Sequence, residues 1–370
     1  MTTRNALAGG CLIHYGMPKT GSSAIQTWLL TGLDDPRFHY LNLGVYGSGS
    51  LMVAALMREP SAHHRNRKRG VSADMVQHES AGIRARLLDQ LKGLQGRTAI
   101  FSSELLAGID ATDLHGILAL LESTCGDLRA CGFVRSPASF MESVFQQRLK
   151  SGNATFNPRA LYPGYRARLE KFDLALGRER VTHWPYDPAG FPRGCVVRDF
   201  CQRTGLPIAE ANVPRVNDSL SLPAIRLLFA YRRFGPGYGA GEDAFRENRA
   251  LKNRLLGLGG PKLRFHADIV APVLARNRDD IRWMEQRLGV PLQESLATGP
   301  GALRSDSELL RIEAPELDWL AEQLETPLIG AATPERVAIW MHALRLKLSR
   351  KARAPAWKRA LGKIRGMLRI

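Results

Sequence analysis

Along the first two hundred positions, short apolar runs alternate with stretches of 3.6-residue periodicity, the pattern of buried parallel strands joined by helices. Residues 11–15 read as the first strand, and Ile25, Trp28 and Leu29 follow at helical spacing. Residues 97–101, 129–134 and 181–187 read as further strands. Phe140 and Val144, with Met141 and Leu149, give the helix after the third run a core-facing stripe, and a helix opening at Val196 closes at Gly205. From 222 to 325 the pattern is helical throughout: Ile225, Leu228 and Phe229 mark one helix, Ile281, Met284 and Leu288 a second, Leu317, Leu320 and Leu324 a third. The glycine-rich stretch 234–241, which includes Pro236, reads as a loop. The pattern predicts an α/β fold with added C-terminal helices, in one large domain over residues 1–330.

Chemistry concentrates between the first strand and the first helix, in Gly16-Met17-Pro18-Lys19-Thr20-Gly21-Ser22-Ser23. Glycine lets the backbone approach a ligand, a helix N-terminus offers unpaired N–H groups, and Lys19 adds a full charge. The nucleotide-binding loop that coordinates magnesium spells Gly, four residues, Gly-Lys, then Ser or Thr. Here Lys19 follows Pro18 and Gly21 comes after the lysine, so the order differs. A second cationic position ends the strand at 129–134: Arg135, with Pro137 suited to a helix first turn and Ser143 eight residues beyond the arginine. Between the two, the strand at 97–101 runs into Ser102-Ser103-Glu104. Ligands of open α/β sheets sit at the carboxyl ends of strands, which directs Glu104 toward the crevice of Lys19 and Arg135. Glu104 serves there either as a general base or as the acidic residue of a helix that Ser102 or Ser103 caps. His39 is the second candidate base.

The loop order, followed by an arginine ending a strand and a serine two helical turns later, resembles the sulfotransferases, which take a sulfuryl group from 3′-phosphoadenosine 5′-phosphosulfate. The resemblance spans roughly residues 12–205 and implies a three-layer α/β/α fold around a central parallel sheet, similar to that of nucleotide kinases. It implies that Lys19 faces the oxygen linking phosphate to sulfate, that Thr20, Gly21, Ser22 and Ser23 hold the 5′-phosphate, and that Arg135 and Ser143 hold the 3′-phosphate. Glu104 stands where many members have a histidine base. Tyr186, at a strand end, is placed near the adenosine, and Arg215, in an Asn-x-Ser-Leu-like segment, is a further ligand candidate; Ser219 in that segment reads as a helix cap. The acceptor implied is a hydroxyl, on a glycan or glycolipid, and no metal is required. Two other readings stay open: a nucleotide-dependent kinase on the same fold, and a non-catalytic protein that binds membranes or polyanions.

Composition narrows the class. The 370 residues are 44% hydrophobic, enough for a sizeable core. Five cysteines form no C-x-x-C pair, consistent with a reduced, cytoplasmic chain without a zinc site. No stretch reaches the roughly 20 apolar residues of a membrane span. The net charge of +17 comes without nucleic-acid motifs and with only 7% aromatics, so no nucleic acid is expected. Part of that charge lies in a tail, residues 335–370: from Arg345 to Arg369 there are ten Lys or Arg and no acid, interleaved with apolar positions. This basic amphipathic segment either lies on an anionic membrane surface, as a peripheral protein of the inner membrane, or packs on the domain. Residues 63–69, His-His-Arg-Asn-Arg-Lys-Arg, read as an irregular basic loop.

Overall fold

The computed structural model describes residues 9–208 and 219–353. In chain order the elements are β1 (Cys11–His14), α1 (Ser22–Thr31), β2 (Phe38–Tyr40), α2 (Ser48–Leu56), α3 (His64–Arg69), α4 (Ala73–Lys92), β3 (Thr98–Ser102), α5 (Ala111–Cys125) and β4 (Leu128–Val134). There follow α6 (Pro137–Lys150), α7 (Tyr165–Leu176), β5 (Val181–Pro185), α8 (Val196–Thr204) and α9 (Leu222–Phe234). The chain continues through α10 (Gly241–Leu255), α11 (Ala267–Arg276), α12 (Arg278–Leu288), α13 (Asp306–Leu309), α14 (Ala314–Leu324) and α15 (Pro334–Arg353). These residues form two compact units interleaved in sequence. Of the described residues, the first takes in 9–140, 162–208 and 272–295; the second takes in 141–161, 219–271 and 296–353.

The first unit is a five-stranded, all-parallel sheet in the order β2-β3-β1-β4-β5. β3 is buried along its whole length and β4 along nearly all of it, which is why both read as unbroken apolar runs. Side chains alternate between the two faces of a strand, and each face has its own helical layer. Toward one side, Phe133 of β4 and Trp184 of β5 pack with Ile25, Trp28 and Leu29 of α1 and with Val197 and Phe200 of α8. On the opposite face, Gly132 leaves room for Tyr15, whose ring stacks 4.5 Å from Phe172 of α7 and whose hydroxyl meets His183 Nδ1 at 2.5 Å. The α/β/α layering expected from the sequence is present.

β1 stands between β3 and β4, so the chain after β1 winds to one side of it and later crosses to the other. That reversal is where doubly wound sheets open a crevice at the carboxyl ends of their strands. The register sets the ends of β1 and β3 level, with His14 beside Ser102, while β4 runs three residues past Cys131, the partner of His14.

The second unit is helical. α15 packs on α9, α10 and α14. Rings of Phe145, Phe156, Phe229 and Phe265 cluster at centroid distances of 5.4–6.2 Å. Arg345, counted by sequence among the basic tail, is 6% exposed, ion-paired to Glu247 at 3.0 Å and donating to Tyr231 Oη at 3.1 Å. The first part of the tail is thus helical, in α15, where Val337, Met341 and Leu344 are buried and Leu346 is 40% exposed. The remainder of the tail, 354–370, lies outside the described residues.

Three other local expectations change. The basic stretch after His63 is itself a short helix, α3, closed by Gly70 in the left-handed region. The helix near Pro223 is capped by Ser221, which accepts from the Ala224 amide; Ser219 instead meets Gln146 at 3.4 Å. Tyr186 falls just past β5, which ends at Pro185.

Within the first unit, α2 is pressed against the end of β3: a Cβ added at Gly49 would fall 1.8 Å from the Ser102 carbonyl oxygen. Gly49→Ala is therefore expected to destabilise the protein by about 1–3 kcal/mol through forced displacement of packed backbone. Gly116→Ala, in α5 with open space around it, should stabilise by about 0.5–1 kcal/mol through the unfolded chain's lost freedom. Urea denaturation midpoints of the two variants check the pair.

Candidate active site

The loop after β1 is built from strained and closely packed pieces. Lys19 has φ of 67°, a left-handed conformation that costs a non-glycine residue about 1 kcal/mol or more. Its carbonyl is caught by Arg135 Nη1 at 2.9 Å, so the turn is held from the end of β4. Thr20 is buried, and its hydroxyl donates to the Met17 carbonyl at 2.7 Å. That hydroxyl therefore braces the loop from within.

Gly21 caps α1 at φ 81°, and a Cβ there would lie 2.6 Å from Val196 Cγ1. Only glycine meets both demands. No side chain caps the first turn of α1, and Ser22, 3% exposed, has a hydroxyl oxygen without a hydrogen-bond partner. Ser23 is exposed at the same helix start. An uncapped helix N-terminus with an unsatisfied buried hydroxyl suits an anion: backbone N–H groups and the helix dipole both favour negative charge there.

Glu104 follows β3 by two residues and opens a single 3₁₀ turn, Glu104–Ala107, that Ser103 caps by accepting from the Leu105 amide at 3.2 Å. The glutamate is the acidic residue of a capped turn, and it also feels the charge of Lys19. Desolvation by the surrounding protein raises the Glu104 carboxyl above its ordinary range, and the Lys19 charge opposes that rise. The side chain remains open to solvent by surface area, as a group on the wall of a cleft does.

Arg135 is half-buried. Its Nε donates to Ser139 Oγ at 3.0 Å, its guanidinium carbon lies 5.4 Å from the centre of the Tyr186 ring, and its carbonyl accepts from Tyr165 Oη at 2.7 Å. Burial raises the Tyr186 phenol, and the Arg135 charge opposes it. The structure thus joins Lys19, Glu104, Arg135 and Tyr186 in one unit, at the ends of β1, β3, β4 and β5.

Ser143 is not part of that unit; it is buried farther along α6, in the stretch that belongs to the second unit. His39 lies in the edge strand β2, level with Ala99 and bonded to Gln90 at 3.3 Å. β3 runs on from Ala99 to Ser102, on the order of 10 Å at 3.3 Å per residue, before Glu104 follows it, so His39 sits down the sheet from the other candidates. Burial also lowers its pKa. Arg215 lies outside the described residues. Sequence reasoning singled out neither Ser139, nor Tyr165, nor the pairing of His14 with Ser102, which no local motif announces. Among the described residues no group of three or more His, Cys, Asp or Glu is placed to hold a metal, and no helix is long and apolar enough to cross a membrane.

No protein-family model and no curated protein matches the chain. Among solved structures, it is similar to a sulfotransferase from Alicyclobacillus acidocaldarius at 15% identity and a TM-score of 0.35, over 56% of this chain and 87% of that one. It is also similar to the sulfotransferase domain from the curacin biosynthetic pathway at 16% identity and a TM-score of 0.31, over 56% of this chain and 77% of that one.

The balance at Glu104 has a thermodynamic sign. Its folded pKa exceeds the unfolded value near 4.3, so ionised Glu104 weakens the folded state at neutral pH. The penalty is absent below that value and sets in as pH rises through the folded pKa. Glu104→Gln should therefore raise the melting temperature at pH 7–8 and leave it unchanged near pH 3. Lys19→Met, which removes the opposing charge, should move the Glu104 titration seen by carbon NMR further upward.

Proposed function

We propose that the chain is a sulfotransferase that moves a sulfuryl group from 3′-phosphoadenosine 5′-phosphosulfate to an acceptor hydroxyl, of a glycan or glycolipid. The observation that carries the reading is the joining of the Lys19 loop, Glu104 and Arg135 at three adjacent strand ends, with an unsatisfied Ser22 hydroxyl in the loop. The motif order and spacing read from the sequence support the same donor.

In this reading the 5′-phosphate rests on the start of α1, held by the amides of Thr20, Gly21, Ser22 and Ser23 and by the Ser22 hydroxyl. Arg135 takes phosphate at the 3′ position with a planar, permanently charged fork, and the Tyr186 ring lies beside it for the adenosine. Glu104 accepts the proton of the acceptor hydroxyl as its oxygen bonds to sulfur. The bond from sulfur to the bridging phosphate oxygen breaks, and the Lys19 ammonium faces the charge left on that oxygen. The products are a sulfate ester and adenosine 3′,5′-bisphosphate. As in phosphoryl transfer, most of the barrier is lowered by positioning and by fixed positive charge. His39 takes no part.

Calorimetry should detect tight binding of adenosine 3′,5′-bisphosphate and much weaker binding of ATP, with or without magnesium; preference for magnesium-ATP would favour a kinase instead. Lys19→Ala and Arg135→Ala should each weaken bisphosphate binding by about tenfold or more. With labelled donor and a panel of glycans, Glu104→Ala should bind the bisphosphate as the wild type does and transfer sulfate about 10²–10⁴-fold more slowly. Wild-type transfer by that variant removes Glu104 as the base.

A further inference from the structure

Beneath the loop lie two buried polar atoms without a hydrogen-bond partner, Nε2 of His14 and Oγ of Ser22. His14 ends β1 with no exposed surface. Both atoms flank Gly16: a Cβ built there would stand 3.2 Å from His14 Nε2 and 2.2 Å from Ser22 Oγ. Gly16, with φ of 31°, is what lets the imidazole and the serine share this space.

The other imidazole nitrogen, Nδ1, is 2.8 Å from Ser102 Oγ. Ser102 is the last residue of β3, two before Glu104. The contact admits either tautomer of His14; with Ser102 as the donor, Nδ1 accepts. The ring is neutral, since burial pushes its pKa down to about 3. A neutral imidazole that accepts at Nδ1 carries its proton at Nε2. In that tautomer the nitrogen turned to the loop is a donor. A buried donor without a partner costs stability, and such costs are kept where a ligand removes them.

We infer that His14 is a positioning residue for the bound phosphosulfate group, acting through Ser22. The chain of donors runs one way: Ser102 O–H to His14 Nδ1, His14 Nε2–H to Ser22 Oγ, and Ser22 O–H to an oxygen of the anion. Ser22 reaches Nε2 by rotating about its Cα–Cβ bond when the anion arrives. A serine that accepts from a histidine has its single proton committed outward, and each bond in such a chain polarises the next. The same relay ties the strand that carries Glu104 to the loop that carries Lys19. The inference rests on the donor reading proposed above.

The test uses the whole chain and two shape-mimicking variants. His14→Gln keeps an N–H donor near Nε2 and gives up the Ser102 contact; His14→Asn keeps a polar group near Nδ1 and has nothing at Nε2. Calorimetry compares adenosine 3′,5′-bisphosphate with adenosine 3′-phosphate, which lacks the group the relay addresses. Expected for His14→Asn is a loss of about 10- to 100-fold for the bisphosphate and none for the 3′-phosphate, with affinity largely kept in His14→Gln. Combining His14→Asn with Ser22→Ala should weaken binding no further than Ser22→Ala alone. Equal losses for both ligands, or full affinity in His14→Asn, overturn the relay. Should His14→Asn fail to fold, Ser102→Ala is expected to show the same selective loss, and unchanged binding there overturns it equally. A wild type that binds the two nucleotides alike refutes the donor reading itself, and the relay with it.

Discussion

The hydrogen bond from Arg135 to the Lys19 carbonyl, 2.9 Å long, couples the end of β4 to the loop after β1. Lys19 pays for its left-handed conformation, and the arginine that receives its turned carbonyl offsets that cost. Two consequences follow from one contact. The guanidinium is fixed against Ser139 and the Tyr186 ring, and the loop is fixed with its lysine within the electrostatic reach of Glu104. Both depend on β1 lying between β3 and β4, because only then do three consecutive strand ends in the sheet share one crevice.

Glycines carry the close approaches that this convergence needs. Gly21 admits Val196 of α8, Gly49 admits the end of β3, Gly16 admits His14 and Ser22, and Gly132 admits the Tyr15 ring on the far face. The site is framed by backbone brought nearer than any side chain permits. Such framing is rigid, which suits a reaction whose catalysis is mostly placement.

How much of this was legible in the sequence depended on what each signal encodes. Strands β1, β3, β4 and β5 were readable because parallel strands buried on both faces are simply apolar runs; β2, three residues long with a histidine in the middle, was not. Lys19, Glu104 and Arg135 were readable because strand-end position and residue type together point at the crevice. The bond of the Thr20 hydroxyl to Met17 was not legible, since a loop's internal bond and a ligand bond look alike in sequence. Ser219 and Ser221 both precede Pro223 at plausible capping distance, and the choice fell to the tertiary pairing of Ser221 with Lys262 and of the Leu222 amide with Pro261. Arg345 read as the first cation of a tail that lies on a membrane surface or packs on the domain; its acid partner, Glu247, is ninety-eight residues away and nothing local announces it. The His14–Ser102 pair was invisible for the same reason, being joined only by the register of β1 against β3.

On the proposed reading, glutamate as the base poses a problem that the site's electrostatics answer. A carboxylate at its ordinary pKa is a weak base at neutral pH, and proximity to Lys19 weakens it further. Desolvation works the other way. On the proposed reading, an anion bound in the loop spends the Lys19 charge on its own oxygens and adds negative charge beside Glu104, so the opposition from lysine falls while burial by the occupied crevice grows. Each change raises the carboxyl pKa. Glu104 thereby becomes a stronger base only once the donor is in place, and the acceptor hydroxyl loses its proton beside a waiting sulfur atom instead of beside an empty loop.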